Sequence, residues 1–273
     1  MQNNRIDEDL DYNIYKYSYE YLLSILPEGL HSIDLKKYFN ENNKLMATTI
    51  DDTFKQIIFS SQNTGILSNI INFNQRENVI KTILYDYKID KIAELSTDKL
   101  FQEFVKVFNI KVKSKNLKQN SWYKWSNTII DAANFLMQFE NFYQFDNFVR
   151  TFECNIETQI ALPLLISAEI SGMQFTLACD FLKEVGYTNY IKPDVHMIDI
   201  ANKLKLCEKV SPIDVFKTFV RIAKNNKISP YKLDKILWLI CSGKFYNDFD
   251  KNGKTINNKS HKEPFINFML HKI

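Results

Sequence analysis

The chain of 273 residues is 45% hydrophobic, 14% aromatic and 25% charged, with only six glycines and six prolines. This composition excludes a disordered or linker-rich chain, argues against folds that need many glycine turns, and predicts one large or two small domains. The formal net charge of +3 hides an asymmetry, because residues 203–273 carry fifteen Lys or Arg against six Asp or Glu. This basic end is either a solvated surface or a face for a polyanion.

The chain shows no pattern typical of a targeting or membrane-anchoring segment. Its first eleven residues are polar and acidic, unlike a secretory signal, and apolar stretches such as 161–168 are far too short to span a bilayer. The four cysteines, Cys154, Cys179, Cys207 and Cys241, form no CxxC pair. We therefore expect a cytoplasmic protein with reduced thiols, no membrane partner, no metal site and no cofactor.

Apolar residues recur at helical spacing along most of the chain. This spacing predicts helices over 14–22, 53–61, 67–85 (as one or two), 97–108, 122–139, 146–152, 158–168 and 175–184, and another from 194 to about 206. The lysine-rich stretch 111–124 and the polar stretch 247–263 predict loops. Since no alternating segments recur with hairpin turns, we expect an all-α fold.

The segment from Leu165 to Leu206 carries the clearest signs of function. An apolar helix breaks at Ser171 and Gly172, and a second helix follows it, so the pattern predicts a helical hairpin. The first turn of a helix presents backbone N–H groups without partners inside the helix, which suits an anion. Farther along, Pro193 and Asp194 mark the start of another helix, with Asp194 as its N-cap.

These segments resemble the helix-hairpin-helix DNA glycosylases of the endonuclease III-like superfamily. ISGMQFTLA at 170–178 is similar to the family's hairpin, LPGVGxKTA, and PDVHM at 193–197 is similar to VDTHV. Gly172 and Asp194 lie 22 positions apart, the offset between the hairpin glycine and the catalytic aspartate of the family. Upstream, IIFSSQNT at 57–64 is similar to LLSAQAT, and YKWSNTII at 123–130 stands where the family has NxKAxxI. The blocks follow the family's order over about residues 50–206.

The resemblance implies a fold of two helical lobes with a cleft between them, a double-stranded DNA partner, and base-excision repair by hydrolysis of an N-glycosidic bond. It makes Asp194 the catalytic carboxylate and His196 a neighbour of the site. The residues implied to contact DNA are Gln62, which would approach the gap left by an extruded base, Gly172, Gln174, Thr176 and Lys192.

The same resemblance implies how the chain is divided. We expect an N-terminal helical extension (1–50), a glycosylase-like domain (51–206) with the hairpin at about 160–185, and a basic C-terminal helical segment (207–273). The extension and the C-terminal segment would combine into one lobe. We expect the protein to be a monomer.

Two departures from the family pattern refine the predicted activity. Gln174 replaces the second hairpin glycine, and Thr176 stands where bifunctional members carry the lysine that forms a Schiff base. Since the iron–sulfur cysteines are also missing, the sequence predicts a monofunctional glycosylase without a cluster. We expect the helix N-terminus to hold the carboxylate of Asp194 ionised.

Two alternatives stay open: a non-catalytic helix-hairpin-helix DNA-binding protein in which Asp194 is only a cap, and an all-α interaction protein with no nucleic-acid role.

Overall fold

Helices make up most of this chain, so the predicted all-α class is confirmed. The computed structural model describes residues 2–40, 42, 44–63, 67–112, 116–249 and 253–273. The α-helices are α1 (Gln2–Ser24), α2 (Lys36–Phe39), α3 (Ile50–Ser61), α4 (Leu67–Ile71), α5 (Phe73–Ile83), α6 (Ile89–Ala93), α7 (Thr97–Phe108), α8 (Ser121–Leu136), α9 (Phe142–Thr151), α10 (Ile156–Glu169), α11 (Phe175–Val185), α12 (Val195–Lys203), α13 (Pro212–Asn225), α14 (Pro230–Ser242) and α15 (Lys262–Leu270). Short 3-10 turns occupy Ser32–Leu35, Tyr85–Tyr87 and Leu117–Gln119, and two strands, β1 (Lys244–Phe249) and β2 (Thr255–Asn257), lie between α14 and α15.

Many of these helices begin at a short polar side chain that accepts a hydrogen bond from the backbone. Such a cap satisfies an amide that has no partner within its helix, and it is typically worth about 1 kcal/mol. Thr49 caps α3 in this way by accepting from the amide of Asp52, so the helix begins at Ile50, earlier than apolar spacing predicts. The caps of this kind are Thr49, Ser96, Asn120, Asn141, Asn155, Asp194, Ser211 and Ser229.

The contacts between residues divide the chain into two compact units. Unit 1 consists of Met1–Lys44 and Gly186–Ile273, and unit 2 of Leu45–Val185. The divisions expected from the sequence, at 1–50, 51–206 and 207–273, stay predictions, as do the two lobes.

Unit 2 is built around α8, which packs against α3, α6 and α7. Its Trp125 is fully buried, and the indole Nε1 donates to the hydroxyl of Ser61 on α3 at 3.0 Å. The rings of Phe104 and Trp122 lie 5.4 and 5.9 Å from that of Trp125. This aromatic packing, with its satisfied indole, fixes the position of α8 in unit 2.

In unit 1, α1 packs against α13, α14 and α15. The carboxylate of Asp11 on α1 is buried and accepts two hydrogen bonds from the guanidinium of Arg221 on α13, both at 3.0 Å. Asn225 donates a third, at 2.7 Å. A bidentate pair of hydrogen bonds fixes both the distance between the guanidinium and the carboxylate and their relative orientation. It therefore fixes the register of α1 and α13, which are far apart in the sequence.

The small antiparallel sheet of β1 and β2 corrects part of the loop predicted over 247–263. Phe245 is buried in unit 1, and the hydroxyl of Tyr38, on α2, accepts from the amide of Asn247 at 3.1 Å and donates to Asp248 at 2.6 Å. Lys37 forms an ion pair with the same carboxylate. The first strand therefore depends on contacts with α2, and the polar composition of the segment gives no sign of them.

Among the described residues, no helix combines the length and the apolar character that crossing a bilayer requires.

Candidate functional site

A short turn joins two helices at the predicted hairpin. α10 ends at Glu169 and α11 begins at Phe175, and Gly172 lies between them with a φ of +82°. Residues with a Cβ atom rarely adopt this left-handed backbone conformation, whereas glycine adopts it freely. The turn that the sequence predicts at Gly172 is therefore present, and its backbone requires the residue found there.

The turn is anchored to α8 by hydrogen bonds on both sides of Ser171. The amide of Ser171 donates to Asp131 at 3.0 Å, and its carbonyl lies 2.6 Å from the hydroxyl of Thr128. A Cβ added at Gly172 would come within 2.7 Å of the same hydroxyl oxygen. Since so close an approach cannot be accommodated without movement, space as well as backbone conformation demands glycine at position 172.

A recess of about 460 Å³ opens beside this turn. It is lined by Ser171 and Gly172 of the turn together with Lys118, Tyr123, Lys124 and Asn127. Two ammonium groups and the backbone of a glycine turn around one recess form a surface suited to an anion, and phosphate is the common anion of this kind in nucleic acids.

The recess brings together the predicted hairpin turn and part of the predicted lysine-rich loop. Of the lysine-rich stretch 111–124, predicted as a loop, residues 117–119 form a 3-10 turn and the last residues belong to the first turn of α8. Lys113 and Lys115 lie outside the described residues. Asn127 and Thr128 were missed because their relation to Gly172 arises from tertiary packing, more than forty residues along the chain.

Gln174 and Thr176 lie at the start of α11. Gln174 is exposed, and its carbonyl accepts from the amides of Leu177 and Ala178, both at 2.9 Å. Thr176 is half-buried in the first turn. A side chain at 174 thus projects from the surface beside the glycine turn, while the predicted contacts of both residues with DNA stay predictions.

Gln62 lies at the end of α3, and its side chain points into unit 2. It is only 4% exposed, and its carbonyl oxygen accepts from the amide of Phe73 at 3.2 Å. This bond gives the glutamine a structural partner at the start of α5. A role beside an extruded base stays a prediction, and it would require the side chain to leave this bond.

Asp194 is the N-cap of α12, as predicted. Its Oδ1 accepts from the amides of His196 at 2.9 Å and Met197 at 3.2 Å. Its own amide donates to the carbonyl of Lys192 at 2.8 Å, across Pro193, so the backbone turns sharply just before the helix. The carboxylate is thereby held in one orientation at the positive end of the helix dipole.

The charge on Asp194 is less favoured than the sequence predicts. Burial raises the pKa of this carboxyl, and the negative charge of Asp234 raises it further. The charges of Lys192 and His196 and the hydrogen bond from the amide of Met197 act in the opposite direction but do not outweigh these effects. The expectation from the sequence includes the helix N-terminus but neither desolvation nor a second carboxylate, which together raise the pKa of Asp194.

No local feature of the sequence predicts that second carboxylate, Asp234. It lies in the first turns of α14, is 4% exposed, and accepts from the amide of Lys192 at 3.1 Å. Its partner is 42 positions earlier in the chain. Nothing local in the sequence links the two residues, and only the packing of unit 1 brings them together.

His196 and Lys192 flank the Asp194 carboxylate in unit 1. Both side chains are half-buried, and the Nδ1 atom of His196 is buried without a hydrogen-bond partner among the described residues. Cys241 of α14 is also near, since the charge of Asp194 contributes to the rise in the pKa of this buried thiol to about 12. Burial is the larger cause, and the thiol stays protonated at physiological pH.

The predicted site residues fall into two groups. Lys192, Asp194 and His196 are brought together in unit 1, whereas Gln62, Gly172, Gln174 and Thr176 belong to unit 2.

Several cations of the basic end, residues 203–273, are engaged in ion pairs within unit 1. Arg221 pairs with Asp11, Lys203 with Glu263, and Lys262 with Asp199. These pairs remove part of the charge that the sequence offers to a polyanion.

Within the part of the chain that the structure describes, no group of three or more His, Cys, Asp or Glu side chains is arranged to hold a metal ion.

Comparisons of the chain with models of protein families, with curated proteins and with solved structures find no match.

Proposed function

We propose that this chain is a monofunctional DNA glycosylase-like protein that hydrolyses the N-glycosidic bond of a damaged or modified base. The observation that carries the proposal is the environment of Asp194. A helix cap alone needs only a short polar side chain, and Asn would serve as well. Asp194 instead is a carboxylate with a raised pKa beside a second buried carboxylate, an arrangement that costs stability and is typical of functional sites.

Such a carboxylate suits the chemistry of base removal. When the bond between C1′ and the base nitrogen breaks, the base leaves with the electron pair and positive charge develops on the sugar. Asp194 in its ionised form stabilises that charge and accepts a proton from the attacking water. The water oxygen bonds to C1′, the proton taken up by Asp194 is released to solvent while the base nitrogen takes one up from solvent, and the products are a free base and an abasic site. Thr176, which has no amine, leaves the strand intact.

The recess beside Gly172 supports the part of the proposal that concerns DNA. Lys118 and Lys124 would neutralise phosphates there, and the target base would then be extruded from the duplex at a cost of a few kcal/mol. The division of the chain is also consistent with the resemblance, since both ends belong to one unit and the middle of the chain to the other.

Release of bases from a panel of duplexes, each with one damaged base, tests the activity. We expect abasic sites with at least one duplex, and no abasic sites with Asp194→Asn, which keeps the capping oxygen. Asp199→Asn is the matched control, because Asp199 lies on the same helix and pairs with Lys262. Base release by Asp194→Asn at the wild-type rate would refute the proposed mechanism.

The alternative function, non-catalytic DNA binding, is favoured by a different observation. The hydrogen bonds of Asp194 to two amides of α12 also satisfy a plain capping role. Both functions predict salt-dependent DNA binding through the recess, with a slope that falls by about 0.9 for each lysine contact removed. Lys118→Ala and Lys124→Ala should show this decrease, and the exposed Lys91 should not when replaced by alanine. Binding without base release from any duplex would favour the alternative.

A further inference from the structure

We propose that Asp234 is a positioning residue for Asp194: from α14 it holds the turn at Lys192, Pro193 and Asp194 and so fixes the carboxylate of Asp194 at the start of α12. The inference rests on the proposed function, since a catalytic role for Asp194 gives this positioning its purpose.

The geometry forms a short chain of hydrogen bonds. The carboxylate of Asp234 accepts from the amide of Lys192 at 3.1 Å, and the carbonyl of the same residue accepts from the amide of Asp194 at 2.8 Å. Asp194 in turn accepts from the first amides of α12. Lys192 is therefore bonded through its amide to Asp234 and through its carbonyl to Asp194, so a movement of Asp234 reaches Asp194 through two hydrogen bonds.

If Asp234 only held the turn in place, a buried carboxylate would be an energetically unfavourable choice at this position. It is 4% exposed, and its negative charge opposes ionisation of Asp194. An asparagine could accept the same hydrogen bond without that charge. The carboxylate at position 234 thus does two things at once, because it holds the turn and keeps a second negative charge beside Asp194.

The electrostatic consequence is that the charge of Asp234, together with burial, raises the pKa of Asp194. Lys192 and His196, which also act on Asp194, carry the opposing charges, and the thiol of Cys241 is protonated over the relevant pH range. Asp194 would thereby remain able to take up and release a proton closer to neutral pH than an isolated aspartate.

Carboxyl ¹³C NMR of the full-length protein tests this without any need for activity. In Asp234→Asn, which keeps the acceptor but removes the charge, we expect the signal of Asp194 to titrate at lower pH than in the wild type. In Asp234→Ala, we also expect exchange of the Lys192 amide with solvent to become about five- to tenfold faster, because one hydrogen bond is lost.

The controls separate this inference from a general loss of stability and from the proposed function. Asp199→Asn removes a carboxylate from α12 itself and should leave the titration midpoint of Asp194 at its wild-type pH. A midpoint of Asp194 that is unchanged in Asp234→Asn would overturn the inference even if Asp234→Ala does not fold. A lower midpoint of Asp194 in Asp234→Asn, without base release from any duplex by the wild type, would retain the inference and refute the glycosylase activity.

If the protein releases bases, the pH dependence of base release gives a further test, because a merely structural role of Asp234 would leave that pH dependence unchanged. We expect Asp234→Asn to shift the profile of base release to lower pH while DNA affinity stays at the wild-type value. A profile unchanged in position would contradict a role for the charge of Asp234.

Discussion

Replacing Gly172 by alanine perturbs the turn between α10 and α11 in two separable ways. The backbone at this position has a φ of +82°, and the added methyl group would lie 2.7 Å from the hydroxyl oxygen of Thr128. That hydroxyl lies 2.6 Å from the carbonyl of Ser171, so any movement that relieves the contact weakens the bond that anchors the turn to α8.

The size of the effect follows from these two terms. Holding alanine in the left-handed region costs about 1–2 kcal/mol. Displacing Thr128 from its hydrogen bond adds about 0.5–1.5 kcal/mol. We therefore expect Gly172→Ala to lower the free energy of unfolding by about 1.5–3.5 kcal/mol, which is a large part of the stability of an ordinary domain.

Urea denaturation followed by circular dichroism measures this loss, and the chain provides a matched control. Gly29 has nearly the same φ, +86°, but a Cβ there would meet nothing within 4 Å. Gly29→Ala should therefore show only the backbone term. Removing the hydroxyl and methyl of Thr128 in a Gly172→Ala, Thr128→Ala double variant should recover part of the excess. Equal losses for Gly172→Ala and Gly29→Ala would refute the reasoning.

Three further predictions concern charge and chemical reactivity. Arg221→Ala should lower the free energy of unfolding by about 2–4 kcal/mol in urea denaturation, because it leaves the buried carboxylate of Asp11 without its cation; a loss below 0.5 kcal/mol would contradict this. The raised pKa of Asp194 means that its ionised form opposes folding, so Asp194→Asn should be more stable than the wild type at pH 7. The difference should disappear as the pH falls below about 3.9, the ordinary value for aspartate, and equal stability at pH 7 would show that the direction is wrong. Iodoacetamide at pH 8 should modify the exposed Cys154 well before Cys241, which is 1% exposed with a pKa raised to about 12; peptide mass mapping would show the order.

Helices were predictable from this sequence because their signals are local. The apolar spacing of Leu100, Phe101 and Phe104 predicts α7 over 97–108, and α7 has these bounds. Thr49 and Asn141 show what spacing omits, since polar caps extend α3 and α9 at their beginnings. The β1 strand was not predictable in this way, because its stability comes from contacts with α2.

The candidate site was predictable only where one short segment carries the signal. Gly172 and Asp194 stand at a turn and a helix start, which leave local marks in the sequence. Thr128 and Asp234 leave none, since each acts on a segment about forty residues away. The direction of the pKa shift at Asp194 was missed for the same reason, because it depends on burial and on the charge of Asp234.

The division of the chain also constrains the order in which it folds during synthesis. Unit 2 is one continuous segment, 45–185, whereas unit 1 needs residues from both ends of the chain. The helix α1 is synthesised before unit 2, whereas its partners α13, α14 and α15 are synthesised after unit 2. Until then Ile14 and Leu22, which are fully buried in the finished protein, have no native partners on those helices. While unit 2 is being synthesised, the apolar side chains of α1 are therefore open to chaperones and to aggregation.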